Sequence, residues 1–242
     1  SQAALDYVLQ RVVTAAEGRL TIEGGEGSLL STVRMARIAW RGDDIDVEAN
    51  DIALTCSPTD LLSRRFNVQG LGAKRIALEL RPSRATATGL PANLALPLEV
   101  AVHNVGVERL EWKTRDGSGA VTGITFGYRG GAREHAIDNL RFVTVYGTLT
   151  GDVGLGALPP FALRGALGFE GDAAMRDARA ALTLGGALER IDVGAKGTLR
   201  EAAVTIGAVV TPFADTPVVS ADIDAANVNV AQFDPAWPTT SL

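Results

Sequence analysis

Apolar and polar residues alternate with a period of two along most of this chain, the mark of strands that turn one face toward an apolar environment. Residues 2–16 are the exception. Leu5, Val8, Leu9, Val12 and Val13 recur at helical spacing there, and Gly18 is placed to end a helix. Two readings of that helix stand side by side: a cap docked on a sheet end, or a helix lying at a membrane surface. Its polar side carries Asp6 and Glu17 against a single Arg11, which gives the membrane reading little support.

The stretch Ile45–Leu80, IDVEANDIALTCSPTDLLSRRFNVQGLGAKRIALEL, lays down most of one sheet end. Ile45, Val47 and Ala49 share a face, and a turn at Asn50-Asp51 is predicted before Ile52, Leu54 and Cys56 continue it. Ser57 is a good N-cap, Pro58 suits the first helical position and Asp60 the first turn, so one helical turn would set Leu61 and Leu62 over the end of the sheet. Phe66 and Val68, then Ile76, Leu78 and Leu80, resume the alternation as two further pieces. Upstream, Val33 and Met35 fall on one parity and Ile38 and Trp40 on the other, so a bulge near Ala36-Arg37 is needed to keep them together.

Residues 81–93 lack an apolar period and read as a loop, separating a region 1–80 from a region 94–242. Leu94, Leu96, Leu98, Val100 and Val102 then form a wholly aliphatic strand face, with Pro97 placing that strand at an edge or a bulge. Strands follow at 105–113, 120–128, 134–138 and 140–152. From Phe161 onward the units are short and regular, bounded by Gly, Asp, Asn or Pro. Some fifteen strands result, with hardly a helix to cover them. Such a sheet must pack on a second sheet, close into a barrel, or offer its face to a ligand. In one curled sheet, fifteen strands would run roughly 70 Å at ~4.8 Å spacing. The expectation is therefore an all-β fold: an elongated, curled, antiparallel-rich sheet forming a half-pipe groove, with a short N-terminal helix and a helical turn at one end.

Composition sharpens this picture. Aromatic residues make up only 5% of the chain, so its apolar surface is built from Gly, Ala, Val and Leu. A groove of that kind suits acyl chains, each buried methylene of which contributes about 0.8 kcal/mol. The net charge of −5, with Lys and Arg scattered, argues against a nucleic-acid footprint. The one cysteine, Cys56, excludes an internal disulfide and reads as a small buried hydrophobe. His103 and His135 have no acid or nucleophile at a recognisable spacing. The Asp43-Asp44-Asp46 and Asp222-Asp224 groups lack the spacing of a calcium loop, and Gly154 and Gly156 precede no helix. No catalytic residue, metal site or cofactor is predicted. No stretch reaches the ~20 apolar residues of a membrane span, and no signal-peptide pattern is read in these residues; the abrupt start at SQAALDYVLQRV leads us to expect an anchor upstream.

The ordered elements Leu54, Pro58, Leu61, Leu62, Arg65, Val68, Ile76 and Leu78 resemble the N-terminal region of the TamB family, within the AsmA-like group of bacterial envelope proteins. LPANLALPLEVAV, FALRGALGFEG and the closing VVTPFADTPVVSADIDAANVNVAQFDPAWP extend the likeness over nearly the whole chain. Ser63-Arg64 stands where relatives often have a Gly. The resemblance implies a periplasmic segment of an inner-membrane-anchored protein that carries phospholipid toward the outer membrane of a Gram-negative cell. It also implies TamA as a partner, through a C-terminal region outside this chain. The expected lipid-binding groove comprises Ile45, Val47, Ile52, Leu54, Ile76, Leu78, Leu94, Leu96, Leu98, Val100 and Val102, with Leu61 and Leu62 capping its end. A second class of function is a scaffold that offers sheet edges to outer-membrane β-barrel proteins during their assembly. The third is a closed sandwich that acts only as a spacer.

Overall fold

The computed structural model describes residues 2–28, 31–43, 45–56, 65–81, 92–115, 117–173, 175, 177–200, 202–214 and 218–227. They form one helix and fourteen strands, the all-β, antiparallel-rich class expected, with its short N-terminal helix. The chain divides into two compact units, Ser1–Thr86 with Ala95–Phe142, and Ala87–Leu94 with Val143–Leu242. The predicted loop at 81–93 and the helical turn after Ser57 lie almost wholly outside the described residues.

The first unit holds α1 (Gln2–Ala15), β1 (Leu20–Glu23), β2 (Glu26–Gly27), β3 (Thr32–Arg41), β4 (Ile45–Cys56), β5 (Arg65–Leu80), β6 (Glu99–Lys113), β7 (Ser118–Gly130) and β8 (Glu134–Val143). Its sheet runs β1-β3-β4-β5-β6-β7-β8, with β2 paired to β3 beside that path. The order is linear, so this sheet does not close into a barrel. β5 and β6 pair in parallel, Arg65 against Glu99 and Leu78 against Trp112. Residues 81–98 make the return, a length such a crossover requires.

Several predicted strand boundaries prove to be interruptions inside longer strands. β4 runs straight through Asn50-Asp51, where no turn forms; Asp51 instead adopts φ 52°. β5 is one strand from Arg65 to Leu80, and β8 passes through Asn139 at φ 53°. The registers explain why these strands survive. Met35 pairs with Ile52 and Ile38 with Ala49, Ala49 with Ile76, Ala73 with Val107, Ile76 with Leu110, Val107 with Ile124, and Leu110 with Val121. Between these pairs lie Ala36, Asp51, Lys74, Glu108 and Gly123, one residue per strand at the same level across five strands. On each strand the apolar residues on either side of that level are three apart instead of two, and both join the same apolar clusters. The period is reset on all five strands together. Gly123 reaches its φ of 59° without the penalty a Cβ brings.

A second reset occurs at Val68/Leu71 on β5 and Val102/Val105 on β6, with register shifts against β4 and β7. The common face expected from a bulge near Ala36-Arg37 is therefore present, as part of this wider pattern. At the sheet's last level Gly119 lies under the Trp112 ring, where a Cβ would come within 2.2 Å of Cζ2.

The core sits on that single face. Val68, Val102, Val105, Val107 and Ile124 form one buried group, and Leu5, Val33, Met35 and Ile52 another. Leu54, Leu71 and Ala73 pack against both, so the two are continuous. Leu5 brings α1 onto the face and is 1% exposed, a burial that contributes about 1.5–3 kcal/mol.

The second unit holds β9 (Gly147–Gly156), β10 (Leu163–Gly171), β11 (Ala178–Ala187), β12 (Arg190–Leu199), β13 (Ala202–Val210) and β14 (Val218–Ala226), hydrogen-bonded in that order. Each neighbouring pair is antiparallel. The predicted strand 140–152 is divided by a turn in which Thr144 N donates to Gly147 O at 2.8 Å.

Burial sets the expected mutational costs. Ile124→Ala, in the first unit's buried group, is expected to lower unfolding free energy by about 2–5 kcal/mol. Ile223→Ala, at a residue 68% exposed, is expected to stay within about 0.5 kcal/mol. Urea unfolding of the two variants measures both; equal losses would contradict the described core.

Candidate functional site

In the first unit, the predicted groove residues on β4 and β5 share the apolar face. Ile45 pairs with Leu80, Val47 with Leu78, Ala49 with Ile76 and Leu54 with Leu71. Val100 and Val102, on β6, belong to the same face and pack in its buried group. Burial falls off toward one end, where Trp40, Ile45 and Leu80 are exposed.

Leu94, Leu96 and Leu98 do not form the predicted strand. β6 begins at Glu99, and Leu94–Leu98 approach it as irregular chain. Leu94 N donates to Ala157 O at 2.8 Å and Leu96 N to Gly131 O at 3.1 Å. Pro97 has no N–H to continue a ladder, so the regular pairing starts after it. Leu98 is exposed and lines a cavity of about 770 Å³ with Pro97, Glu99, Arg129 and Arg133. Leu61 and Leu62, the predicted cap, lie outside the described residues.

The opposite face of the first unit is charged and paired. Arg37 bridges Glu23 and Glu48, its Nη1 at 3.1 Å from Glu23 Oε1 and its Nη2 at 2.7 Å from Glu48 Oε2. Arg75 donates to Glu111 from Nε and Nη2 at 2.9 and 2.7 Å, and Arg109 donates to the other carboxylate oxygen. Arg81 pairs with Asp46, and Arg129 meets Asp138 through two parallel contacts at 2.8 and 3.0 Å. Arg37–Glu23, Arg37–Glu48, Arg75–Glu111 and Arg129–Asp138 pair across neighbouring strands, the favourable arrangement, while Arg109 pairs with Glu111 along β6. The hydrogen bond from Arg37 holds Glu48 below the usual carboxylate range, those from Arg109 and Arg75 do the same for Glu111, and that from Arg129 for Asp138. His135 Nδ1 lies 2.8 Å from Tyr128 Oη with the two rings stacked, and His103 is exposed. Among the described residues no group of His, Cys, Asp and Glu could hold a metal ion, and no helix is long and apolar enough to cross a membrane.

A second extended apolar surface lies in the second unit, on strands to which the sequence reading assigned no site residue. Registers align its side chains in four levels across six strands. One level reads Gly151, Leu167, Leu182, Ala195, Ile206, Ile223; the next, Val153, Gly165, Leu184, Val193, Ala208, Ala221. The outer two run from Leu149 through Phe169 and Val204 to Ala225, and from Leu155 through Leu163 and Ile191 to Val218. No polar residue occurs at any of these positions. Thr148, Glu170, Asp152, Arg179, Lys196, Thr205 and Asp224 occupy the other face.

Unlike the first unit's core, this face is not sealed. Its interior positions are half-buried or exposed, Ile206 at 36% and Ile223 at 68%. The buried apolar residues of this unit are Ala157, Phe161, Ala178 and Ala202, all at strand ends or beyond them. Among the described residues the unit has neither a helix nor a second sheet. From strand geometry the face measures roughly 24 Å by 20 Å. The clue was available in units such as ALRGALGFEG and ARAALTLGG, whose alternation uses Ala and Gly too freely to stand out by hydrophobicity alone.

No family model, no curated protein and no solved structure matches this chain.

The paired carboxylates make a pH prediction. Their folded-state pKa values lie below those of the unfolded chain. The stability they contribute is therefore present above the unfolded values and is lost as pH falls through the folded ones. The drop in urea midpoint from pH 7 to pH 3 is expected to shrink in Glu48→Gln/Glu111→Gln, and in wild type to shrink with added salt because these groups face solvent. An unchanged pH dependence in the variant would contradict the assignment.

Proposed function

We propose that this chain is a non-enzymatic carrier of phospholipid, with acyl chains lying against its apolar sheet face and headgroups remaining in water. The observation that carries this reading is the second unit's face, free of polar side chains at every aligned position and without a covering layer among the described residues. An apolar surface of this extent in water calls for a ligand or partner. An acyl chain makes no hydrogen bonds, so a surface of Gly, Ala, Val, Leu and Ile suffices for it. Small side chains also leave no fixed pocket that would hold the chain at one position. The resemblance of the sequence to the TamB family points the same way. On that resemblance the segment would lie in the periplasm, beyond an inner-membrane anchor and on a path toward the outer membrane.

The second unit has a polar face of its own. There Thr148, Glu170, Asp152, Arg179, Lys196, Thr205 and Asp224 stay hydrated while the apolar face accepts lipid, so the chain supplies a surface and makes or breaks no bond. The scaffold reading draws on a different observation. β14 is last in the strand order of the described residues and all nine of its residues are exposed, as an edge receiving another strand would be. That reading predicts crosslinks to polypeptide from β14 and none to lipid from the apolar face.

Binding of the fluorescent fatty acid cis-parinaric acid tests the proposal. Leu182→Asp places a charge in the middle of the apolar face and is expected to weaken binding by about tenfold or more. Thr205→Asp, on the opposite face, is expected to bind as wild type does. Equal binding by both variants would overturn the assignment of the face.

A further inference from the structure

We propose that α1 is a displaceable plug that occupies part of the lipid-carrying face until an acyl chain takes its place. The inference rests on the reading of that face as a lipid surface and adds a means of regulating it.

In the first unit, Leu5 of α1 is buried against Val33, Met35 and Ile52, with Leu9 packed beside it. Leu9 also approaches the turn before β2, where its Cδ1 lies 2.6 Å from the position a Cβ would take on Gly25. The covered area is not separate from the rest of the apolar face. Leu54, Leu71 and Ala73 pack against both this group and the one centred on Val105 and Val107. α1 therefore covers Ile52, one of the first unit's residues expected to line the lipid groove.

Among the described side chains of α1, Leu5 and Leu9 are the ones packed on the buried group. Asp6, Tyr7, Gln10 and Arg11 face outward, Tyr7 at 63% exposure. The helix has no acidic residue in its first turn and no basic residue in its last, so its dipole is not complemented at either end. Val12, Val13 and Thr14 are β-branched, and Thr14 Oγ1 donates to Gln10 O at 2.8 Å, a bond that competes with the helical ladder. A helix of 14 residues with these features is marginal on its own; docking of Leu5 and Leu9 maintains it. The connection to β1 is a ready joint, with Glu17 at φ 50° and Gly18 at φ 80°, and nothing lies within 4 Å of a Cβ placed on Gly18.

An acyl chain is a fair competitor for this site. About two to four methylenes remove as much apolar surface from water as one leucine side chain. In the absence of lipid α1 shields Val33, Met35 and Ile52 from water; a chain arriving along the face exchanges with it.

The test uses a photo-crosslinking residue in place of Met35, beneath α1, or in place of Leu182, on the second unit's face, with phosphatidylglycerol vesicles as the lipid. With the probe at 35 in otherwise wild-type protein, crosslinks to α1 are expected to dominate at low lipid and to give way to lipid crosslinks as vesicles are added. In Leu5→Asp/Leu9→Asp the same probe is expected to capture lipid about tenfold more at low lipid. The probe at 182 is expected to capture lipid equally in both backgrounds, which also reports that the sheet remains folded. Should the double variant lose capture at 182, Leu9→Asp alone and the lipid titration of the wild type carry the test. Capture at 182 with α1 crosslinks at 35 that do not respond to lipid would overturn the plug and leave the lipid reading standing. Absence of lipid capture at 182 in the wild-type background would overturn both.

Discussion

Side chains in a strand alternate between its two faces, so one shift of that period on one strand sends every later side chain to the wrong side. The first unit contains such shifts, and its single apolar face survives because neighbouring strands make them at the same level. Ala36, Asp51, Lys74, Glu108 and Gly123 lie side by side, and each flanking pair of apolar residues stays on the common face. Everything else in that unit depends on this agreement: the continuity of the buried groups, the docking of α1, and the sorting of Arg37, Arg75, Arg109, Glu48 and Glu111 onto the other face. A shift on one strand alone would have buried charges that are now hydrated and paired, at a cost surface ion pairs could not offset.

The two units treat the same one-sided pattern differently. In the first, Val, Ile, Phe and Leu side chains are large enough to bury one another, and α1 adds a layer where β3 and β4 need it. In the second, Gly and Ala occupy so many facing positions that neighbours cannot cover one another, and Leu167, Leu182 and Ile206 remain accessible. Side-chain size separates a sealed core from an open surface here. Apolarity alone does not, and it was apolarity that directed attention to Leu94, Leu96 and Leu98.

The class of the fold was legible because period-two alternation is a local property that short windows display. Long strands were harder. The three-residue spacings Val102–Val105 and Val107–Leu110 on β6 look like strand ends in isolation, and only their partners on β5 and β7 show them to be aligned resets. The parallel pairing of β5 with β6 was likewise invisible, since register between distant segments leaves no trace in either segment. Of the proposed site, Ile45, Val47, Ile52, Leu54, Ile76, Leu78, Val100 and Val102 lie together on one face, whereas Leu94–Leu98 mimic a strand that Pro97 prevents. The second unit's face went unassigned because an open surface and a buried core share one alternation pattern; they part only when the area left in contact with water is known.

The central claim is that the second unit's apolar sheet face, which has no covering layer among the described residues, holds phospholipid. Quantifying phospholipid that remains with the protein after purification from a cell membrane extract, by mass spectrometry of the intact complex under native conditions, tests it most directly. The account predicts bound phospholipid in wild type and its loss when Leu167 and Leu182 are both replaced by Asp. Wild-type protein that emerges free of lipid, or a double variant that retains it, would contradict the account.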